Sequence, residues 1–303
     1  MPPAAASRYR GRFAPSPTGP LHFGSLVAAA GSFLEARARG GEWLVRMEDL
    51  DPPRVVPGAA DDILRTLEAL GFAWDGAVEW QSRRGDAYHA ALERLRETGL
   101  VYPCACSRKE VADSAVTGIE GFVYPGTCRG GLPPGREPRA LRLNTAGQAV
   151  EFEDALQGTV RQQLDTEIGD FVVYRADRVY AYQLAVVVDD AWQEITHVVR
   201  GADLLASTPR QIWLQRLLGY PTPEYLHLPV AVNAAGEKLG KQTGAAAVPA
   251  ADPLPSLLAA LDFLGHRPPP QLARGRVRDL WAWATENWDS RRLPRKRTIP
   301  LPG

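Results

Sequence analysis

Near its amino terminus the chain reads Arg12-Phe-Ala-Pro-Ser-Pro-Thr-Gly-Pro-Leu-His-Phe-Gly-Ser25. A strand-like run at residues 9–13 leads into this stretch, and a helical pattern follows it until Gly40-Gly41, where glycine ends the helix. The stretch is therefore a loop between a strand and a helix. Free backbone N–H groups and the helix dipole favour phosphate at such a junction, so the sequence predicts a nucleotide site here.

Strands and helices alternate on both sides of a cysteine-containing segment. Before that segment we predict a strand at 42–47 and helices at 57–70 and 84–97. After it we predict strands at 171–174, 182–188, 194–199 and 225–230, a helix at 203–218, and only helices beyond Pro249. Alternation of this kind indicates an α/β fold with a doubly wound parallel sheet.

The length of 303 residues suits a core that carries one insertion and one appendage. The segment that begins at Cys104 is richer in Gly, Pro and short polar stretches than its flanks, so we interpret it as an inserted subdomain. The predicted division is 1–103 for the first half of the core, 104–165 for the insertion, 166–245 for the second half and 246–303 for a helical C-terminal region.

Composition indicates a globular protein, with 45% apolar and 23% charged residues. The start of the chain lacks the apolar core of a signal peptide, and no apolar run reaches membrane-spanning length. We therefore expect a cytoplasmic protein with no membrane partner, and we expect a monomer because no apolar helix face is left without a place in the core. Formal charge is zero, so affinity for nucleic acid must come from local patches. The basic cluster at residues 291–297 is a candidate for such a patch, although a solvated tail is the more ordinary explanation.

Two short patterns carry residues suited to phosphate chemistry. His22 and Gly24 lie at the strand-to-helix junction, where an imidazole can stabilise charge that develops on an α-phosphate. Alone, this histidine could equally cap the helix. Lys238 and Lys241 are two of only four lysines and lie three residues apart in a Gly-rich loop, where they suit a pyrophosphate leaving group. A solvated loop is the alternative.

Cys104, Cys106 and Cys128 supply three thiols within a short span, a spacing that suits a structural metal site better than a disulfide framework. A closed zinc site needs four ligands, so one is missing. His89 is a chemically ordinary candidate for the fourth. Three buried thiols without metal remain the alternative.

Three blocks together resemble the signatures of glutamyl-type class I tRNA synthetases, in order and approximate spacing. They are the stretch quoted above, Arg46-Met-Glu-Asp-Leu-Asp-Pro-Pro-Arg54 and Lys238-Leu-Gly-Lys241. Within that superfamily, Leu21-His-Phe-Gly-Ser-Leu26 and Val55-Val-Pro-Gly-Ala-Ala60 most resemble the glutamyl-queuosine tRNA(Asp) synthetases. That family is a truncated paralogue that attaches glutamate to the queuosine base of tRNA(Asp) and not to the 3′ end. The resemblance implies ATP with Mg²⁺, L-glutamate and queuosine-bearing tRNA(Asp) as substrates, and no anticodon-binding domain after the lysine loop.

The resemblance also implies roles for individual residues. His22, Lys241 and the auxiliary Lys238 are the implied catalytic groups, and one structural Zn²⁺ is implied with Tyr124 as its fourth ligand. The implied glutamate pocket comprises Arg12, Phe13, Ala14, Pro15, Ser16, Glu48, Tyr182 and Arg200, and the implied ATP site comprises His22, Gly24, Ser25 and Lys241. Arginine pairs bidentately with carboxylates, which suits an amino acid with two of them. Taken singly, each arginine could form a surface ion pair, and Tyr182 could be a core aromatic of the sheet.

Two residues depart from the family pattern: Ser25 replaces a second histidine, and Gly240 replaces a serine of the lysine motif. The first replacement is usual in the family, whereas the second removes a hydroxyl near phosphate. Three alternative functions stay open: a reduced glutamyl-tRNA synthetase that charges the 3′ end, a non-catalytic RNA-binding paralogue, and a small nucleotidylyltransferase on the same fold.

Overall fold

A computed structural model describes residues 8–114, 116–119, 121–239 and 246–301. The strands are β1 (Arg10–Phe13), β2 (Glu42–Met47), β3 (Glu79–Trp80), β4 (Val101–Cys104), β5 (Thr117–Gly118), β6 (Gly121–Phe122), β7 (Ala140–Leu143), β8 (Ala149–Asp154), β9 (Gly158–Gln163), β10 (Phe171–Tyr174), β11 (His197–Gly201), β12 (Glu224–Leu228), β13 (Val230–Val232) and β14 (Thr298–Pro300). The helices are α1 (Phe23–Ala38), α2 (Ala59–Ala69), α3 (Gly85–Glu97), α4 (Arg108–Ser114), α5 (Leu164–Glu167), α6 (Tyr182–Trp192), α7 (Thr208–Leu218), α8 (Pro253–Phe263) and α9 (Val277–Glu286).

The central layer consists of parallel strands. β1 pairs with β2 and β2 with β3, while β11 pairs with β12, all in parallel. The backbone N–H of Thr196, just before β11, donates to the carbonyl of Arg10 in β1 at 3.0 Å and joins the two groups. The strand order is thus β3-β2-β1-β11-β12, and the predicted doubly wound sheet is confirmed. In this topology ligands bind where the strand order reverses, beside the carboxyl ends of β1 and β11.

Helix α1 packs directly on this layer. Leu26 and Leu34 are fully buried, and Gly31 lets the helix approach β12, because a Cβ at that position would lie 2.4 Å from Cδ1 of Leu228. α8 and α9 cover the other side of α1, where the rings of Phe33 and Trp281 meet edge to face at 5.1 Å. The main core therefore lies between the sheet and the C-terminal helices.

Two small antiparallel groups of strands occupy the predicted insertion and its flanks. β7 pairs with β4 and β10, and β8 pairs with β9. Asp154 at the end of β8 forms a parallel bridge with Tyr225 of β12, so the second group also touches the core sheet. The division of the chain into domains stays a prediction.

The strand predicted at 182–188 is wrong, because these residues begin α6. The run Tyr182-Gln-Leu-Ala-Val-Val-Val188 is rich in β-branched residues, which favour strands, but a short apolar run does not distinguish a strand from a helix that is buried on all sides. Residues 184–190 are all buried, and α6 packs between α3 and α7. Tertiary packing therefore overrides the local propensity.

Three further elements differ from the sequence prediction. Proline explains two of these differences, and the third lies near the C-terminal end. The helix predicted at 203–218 begins as a 3₁₀ turn, Ala202–Ser207, before Pro209 opens α7. Pro229 separates β12 from β13 because it has no N–H to continue the ladder. The region after Pro249 also contains β14, which pairs with β13, so the prediction of helices alone is wrong. Among the described residues, no helix is long and apolar enough to cross a membrane.

Candidate active site

A cavity of about 920 Å³ opens at the carboxyl ends of β1 and β11. All the predicted substrate-site residues that the structure describes line it. They are Arg12, Phe13, Ala14, Pro15, Ser16, His22, Gly24, Ser25, Glu48, Tyr182, Arg200 and Lys238. Lys241 lies outside the described residues. Residues that are far apart in sequence therefore meet around one space, and their individual roles stay predictions.

His22 forms the N-cap of α1. Its Nδ1 accepts from the backbone N–H of Ser25 at 3.3 Å. The helix cap that the sequence offered as an alternative role for this histidine is therefore formed. A neutral imidazole that accepts at Nδ1 carries its proton on Nε2, where it can donate to a phosphate oxygen. Capping and phosphate binding are thus compatible in one side chain.

The segments before and after the loop that carries Lys238 and Lys241 both contact the start of α1 or the cavity beside it. Ala247 forms an antiparallel bridge with His22, and the N–H of Val248 donates to the carbonyl of Leu21 at 2.8 Å. On the other side, Lys238 bridges to Val232 and forms an ion pair with Asp203, which also lines the cavity. The structure therefore brings Lys238 to the predicted ATP end of the cavity.

One wall of the cavity is a buried network of ion pairs. Arg12 donates from Nε and Nη2 to both oxygens of Asp190, at 3.0 and 3.2 Å. Arg46, with no exposed surface, donates to Asp190 at 2.8 Å and to Glu48 at 3.3 Å. Burial opposes the charge of Asp190, but Arg12 and Arg46 outweigh it and hold the pKa of this carboxyl below its ordinary value.

Glu48 and Tyr182 face the same wall. Burial raises the pKa of Glu48 from its ordinary value, and Arg46 and Arg12 only partly offset this effect. Burial, followed by the nearby charge of Glu48, likewise raises the pKa of Tyr182, which keeps its phenol protonated. Tyr182 opens α6 and lines the cavity, so it is not a core aromatic of the sheet. An acceptor and a hydroxyl donor thus lie beside the arginines.

Arg200 is oriented by a second buried chain of hydrogen bonds. Its Nε donates to Nε2 of His227 at 3.0 Å, and Nδ1 of His227 lies 2.6 Å from Asp154. Burial lowers the pKa of His227 to about 4, which keeps the ring neutral and able to accept from Arg200. Nη2 of Arg200 donates to Thr208 and Gln211, both at 2.8 Å.

The remaining guanidinium nitrogen of Arg200, Nη1, is buried and has no hydrogen-bond partner anywhere in the described part of the chain. No carboxylate of these residues lies within ion-pair distance of Arg200. A buried cationic donor without a partner carries a desolvation penalty that an anion can relieve. Since Arg200 lines the cavity, the geometry suits a carboxylate bound there.

The predicted metal ligands also converge. The sulfur atoms of Cys104, Cys106 and Cys128 lie within 4.8 Å of one another, and those of Cys106 and Cys128 are 3.7 Å apart. The hydroxyl of Tyr124 lies 3.4 Å from Cys104 and 3.6 Å from Cys106. Tetrahedral zinc with Zn–S bonds of about 2.3 Å needs sulfurs about 3.8 Å apart, so this donor set fits a four-ligand metal site. His89 is exposed on α3, and the group of potential metal ligands in the described residues does not include it.

Sequence reasoning missed the residues that hold the arginines in place. Asp190 and Arg46 share one network, and His227 and Asp154 share the other. Only one signal pointed to them, the pair Asp189-Asp190 directly after an apolar run, and the mistaken strand assignment hid it. Buried acidic residues need partners, so such a pair indicates buried cations nearby.

Comparison with known proteins agrees with this geometry. Residues 8–252 match the family described as tRNA synthetases class I (E and Q), catalytic domain. The Glutamyl-Q tRNA(Asp) synthetase of Dechloromonas aromatica is 64% identical over 298 residues, which cover 98% of this chain and 99% of the relative. The protein of the same name from Pseudomonas aeruginosa PAO1 is 55% identical over 296 residues, 97% and 98% of the two chains. In fold, the chain is similar to a glutamate-tRNA synthetase from Elizabethkingia anophelis, with a TM-score of 0.81 at 24% identity over 98% of this chain and 68% of that one.

Proposed function

Because the chain belongs to the family of class I tRNA synthetases for glutamate and glutamine, we propose that it activates L-glutamate with ATP and transfers the glutamyl group to the queuosine base of tRNA(Asp). The family resemblance expected from the three sequence blocks is confirmed, and the chain is a ligase of the aminoacyl-tRNA synthetase type. The name that the two near-full-length relatives share, Glutamyl-Q tRNA(Asp) synthetase, supports this choice of acceptor. A cytoplasmic location and a monomeric state belong to the same proposal.

The observation that carries the amino-acid assignment is the buried Nη1 of Arg200. Arg12 and Arg46 are neutralised by Asp190 and Glu48, whereas Arg200 is held by neutral partners. One guanidinium therefore stays available for a substrate carboxylate, and Glu48 lies on the same cavity as an acceptor for an ammonium group. An amino acid with a second carboxylate satisfies both groups and leaves its α-carboxylate for activation.

In the first step, an oxygen of the glutamate α-carboxylate attacks the α-phosphorus of Mg-ATP. The bond from the α-phosphorus to its bridging oxygen breaks, so glutamyl-adenylate and pyrophosphate form. Nε2 of His22 donates to the α-phosphate oxygens, and Lys238 and Lys241 supply positive charge for the leaving pyrophosphate. Most of the acceleration comes from positioning, since binding at one cavity makes the displacement intramolecular in effect.

In the second step, a hydroxyl of the queuosine base attacks the acyl carbonyl. A new ester bond forms, the acyl–phosphate bond breaks, AMP leaves and the hydroxyl proton passes to solvent. Arg200 holds the same carboxylate during both steps, which keeps the acyl carbon in place between them. The chain does not need a separate nucleophile, because the adenylate is already activated.

The cysteine cluster fits one structural zinc ion, with Cys104, Cys106, Cys128 and Tyr124 as ligands. These residues would hold the ion between the end of β4 and the segment at 124–128, where it would balance the thiolate charge and crosslink the two segments. It is placed outside the cavity, since none of its four ligands lines that space. Its contribution is to structure and not to the reacting atoms.

The experiment that tests this proposal is glutamate-dependent ATP–pyrophosphate exchange, measured with and without tRNA and compared with His22→Ala. We expect exchange in wild type without tRNA, and a loss of at least about a hundredfold in the variant, since a donor to developing charge contributes about 3 kcal/mol. Exchange that requires tRNA would favour a reduced synthetase that charges the 3′ end. No exchange under either condition would indicate a non-catalytic paralogue.

The acceptor is tested separately by glutamyl transfer to tRNA(Asp) with and without queuosine. Transfer confined to the queuosine-bearing tRNA supports the proposal. Equal transfer to both tRNAs would contradict it. Exchange that proceeds with no amino acid would instead favour a nucleotidylyltransferase.

A further inference from the structure

The basic segment, residues 291–297, is held against the body of the protein beside β13 and is not a free tail. Leu293 within it is buried in the main core, with 3% of its surface exposed. The carbonyl of Arg297 accepts from the N–H of Val230 at 2.9 Å, and Val230 lines the cavity. β14 then continues the segment along β13 in parallel register. The backbone of the segment is therefore fixed beside the strand that leads to the lysine loop.

The cations of the basic segment are exposed, and most of them lack acidic partners. Arg291 pairs with Asp289 at 2.9 Å. Within the described ranges, no carboxylate lies in ion-pair distance of the other four, Arg292, Arg295, Lys296 and Arg297. Three other exposed arginines of the C-terminal region do have such partners: Arg267 pairs with Asp262, and Arg276 and Arg278 pair with Asp279.

We propose that the basic segment binds the phosphate backbone of the tRNA beside the nucleotide that enters the cavity. This inference rests on the proposed function for the identity of the nucleic acid. The chain has no net charge, so it lacks a global field that could attract a polyanion, and a local patch has to supply the affinity. The segment is also the place where several unpaired cations lie on a backbone anchored to the cavity wall.

Anchoring of the backbone favours this role energetically. A disordered basic tail loses conformational entropy when it binds, whereas a segment held by Leu293 and by β14 loses only side-chain freedom. Contacts of this kind go to phosphates, and they set position and affinity without reading base identity. The segment therefore adds affinity for tRNA in general, while the cavity selects the modified base.

The test compares two variants that remove the same charge. The first is Arg295→Gln, Lys296→Gln and Arg297→Gln together. The control is Arg267→Gln, Arg276→Gln and Arg278→Gln, three exposed arginines of the C-terminal region that all pair with carboxylates. Binding of tRNA(Asp), with and without queuosine, is measured over a range of salt concentrations, together with ATP–pyrophosphate exchange in the absence of tRNA.

For the first variant we expect Kd for both tRNAs to rise about tenfold or more at low salt. The slope of log K against log salt should become flatter by about 2, since each lost contact to single-stranded phosphate removes about 0.7. Exchange should equal that of wild type, and the control variant should bind tRNA as wild type does. An unchanged Kd in the first variant, or an equal loss in the control, would overturn the inference. A wild-type chain without glutamate-dependent exchange would contradict the proposed function instead, and the binding comparison would still decide the role of the segment.

Discussion

The polar wall of the cavity and the cysteine cluster both hold largely buried ionisable groups, but the wall balances its charges within the chain. Among the described residues, the three thiols have one hydrogen-bonded cation, Arg142, whose Nε donates to Sγ of Cys104 at 3.3 Å. Asp190 lies between Arg12 and Arg46, and His227 links Asp154 to Arg200. In the cluster, three thiols and the Tyr124 hydroxyl face one another, and as thiolates they would repel. The wall is thus preorganised by its own sequence, whereas the proposed zinc, once bound, would supply the charge that balances the cluster.

This difference predicts which perturbation each region tolerates. A preorganised wall keeps its geometry when the substrate is absent. Removal of any one of its charged side chains should destabilise it, because the partner is left buried without a counter-charge. If the cluster holds the proposed zinc, it should keep its geometry only while the ion is bound. The experiments below test this contrast, beginning with the largest expected effect.

Removal of the metal should have the largest effect, and it should stay local. Structural zinc contributes about 10–16 kcal/mol to small zinc-finger peptides, so a chelator or Cys128→Ala should unfold the surroundings of the cluster. We expect one zinc per wild-type chain, and fast proteolysis near residues 104–139 once it is lost. Metal analysis and limited proteolysis measure both.

His89→Ala is the matched control, because it removes the alternative ligand without touching the cluster, and it should retain the zinc. Wild type that is purified without metal and resists proteolysis regardless of chelator would show that the cluster is three buried thiols. Loss of zinc in the control would identify His89 as the fourth ligand in place of Tyr124.

Breaking a charge partner in the wall should have the next largest effect. Asp190→Asn leaves Arg12 and Arg46 buried without their shared carboxylate, so the free energy of unfolding should fall by about 3–5 kcal/mol. Urea denaturation measures this loss. Asp177→Asn, which breaks the exposed pair with Arg175, is the control and should cost less than about 1 kcal/mol. Equal losses in the two variants would show that the wall is not a desolvated network.

The third expected effect is a pH dependence that originates at His227. Its folded pKa of about 4 lies below the ordinary value of 6.5, so the unfolded chain binds more protons between these values. Stability is then fully present above about pH 6.5 and is lost as pH falls towards 4, by up to about 3 kcal/mol. The free energy of unfolding, measured by urea denaturation at several pH values, tests this.

His227→Gln keeps an acceptor for Arg200 but removes the titration, so the slope between pH 6.5 and 4 should shrink. Part of it remains, because burial also lowers the pKa of His197 and His266. The same variant should raise KM for glutamate and leave KM for ATP unchanged, a split that a general loss of stability does not produce. An unchanged slope together with an unchanged KM for glutamate would mean that His227 does not orient Arg200.

Much of the cavity was predictable, because its lining residues lie in short local motifs. The stretch from Arg12 to Ser25 and the acidic Glu48 sit at strand ends, and parallel strands bring their carboxyl ends to one edge of a sheet. The cysteine spacing likewise predicted a cluster. In contrast, α6 was predicted as a strand, because its β-branched residues favour strands where helices do not bury them on several sides. The role of Asp190, which lies on this helix, was missed for the same reason.

The sequence by itself therefore determined the order of strands and helices around the first loop, the groups that line the cavity and the donors of the cysteine cluster. These features depend on residues close together in the chain, or on one rule of parallel sheets. The tertiary structure alone decided that Asp190 neutralises Arg12 and Arg46, that His227 and Asp154 orient Arg200, and that β14, directly after the basic segment, pairs with β13. Those pairings join residues far apart in sequence, and the cost of burying an unpaired charge selects them only once the chain has packed.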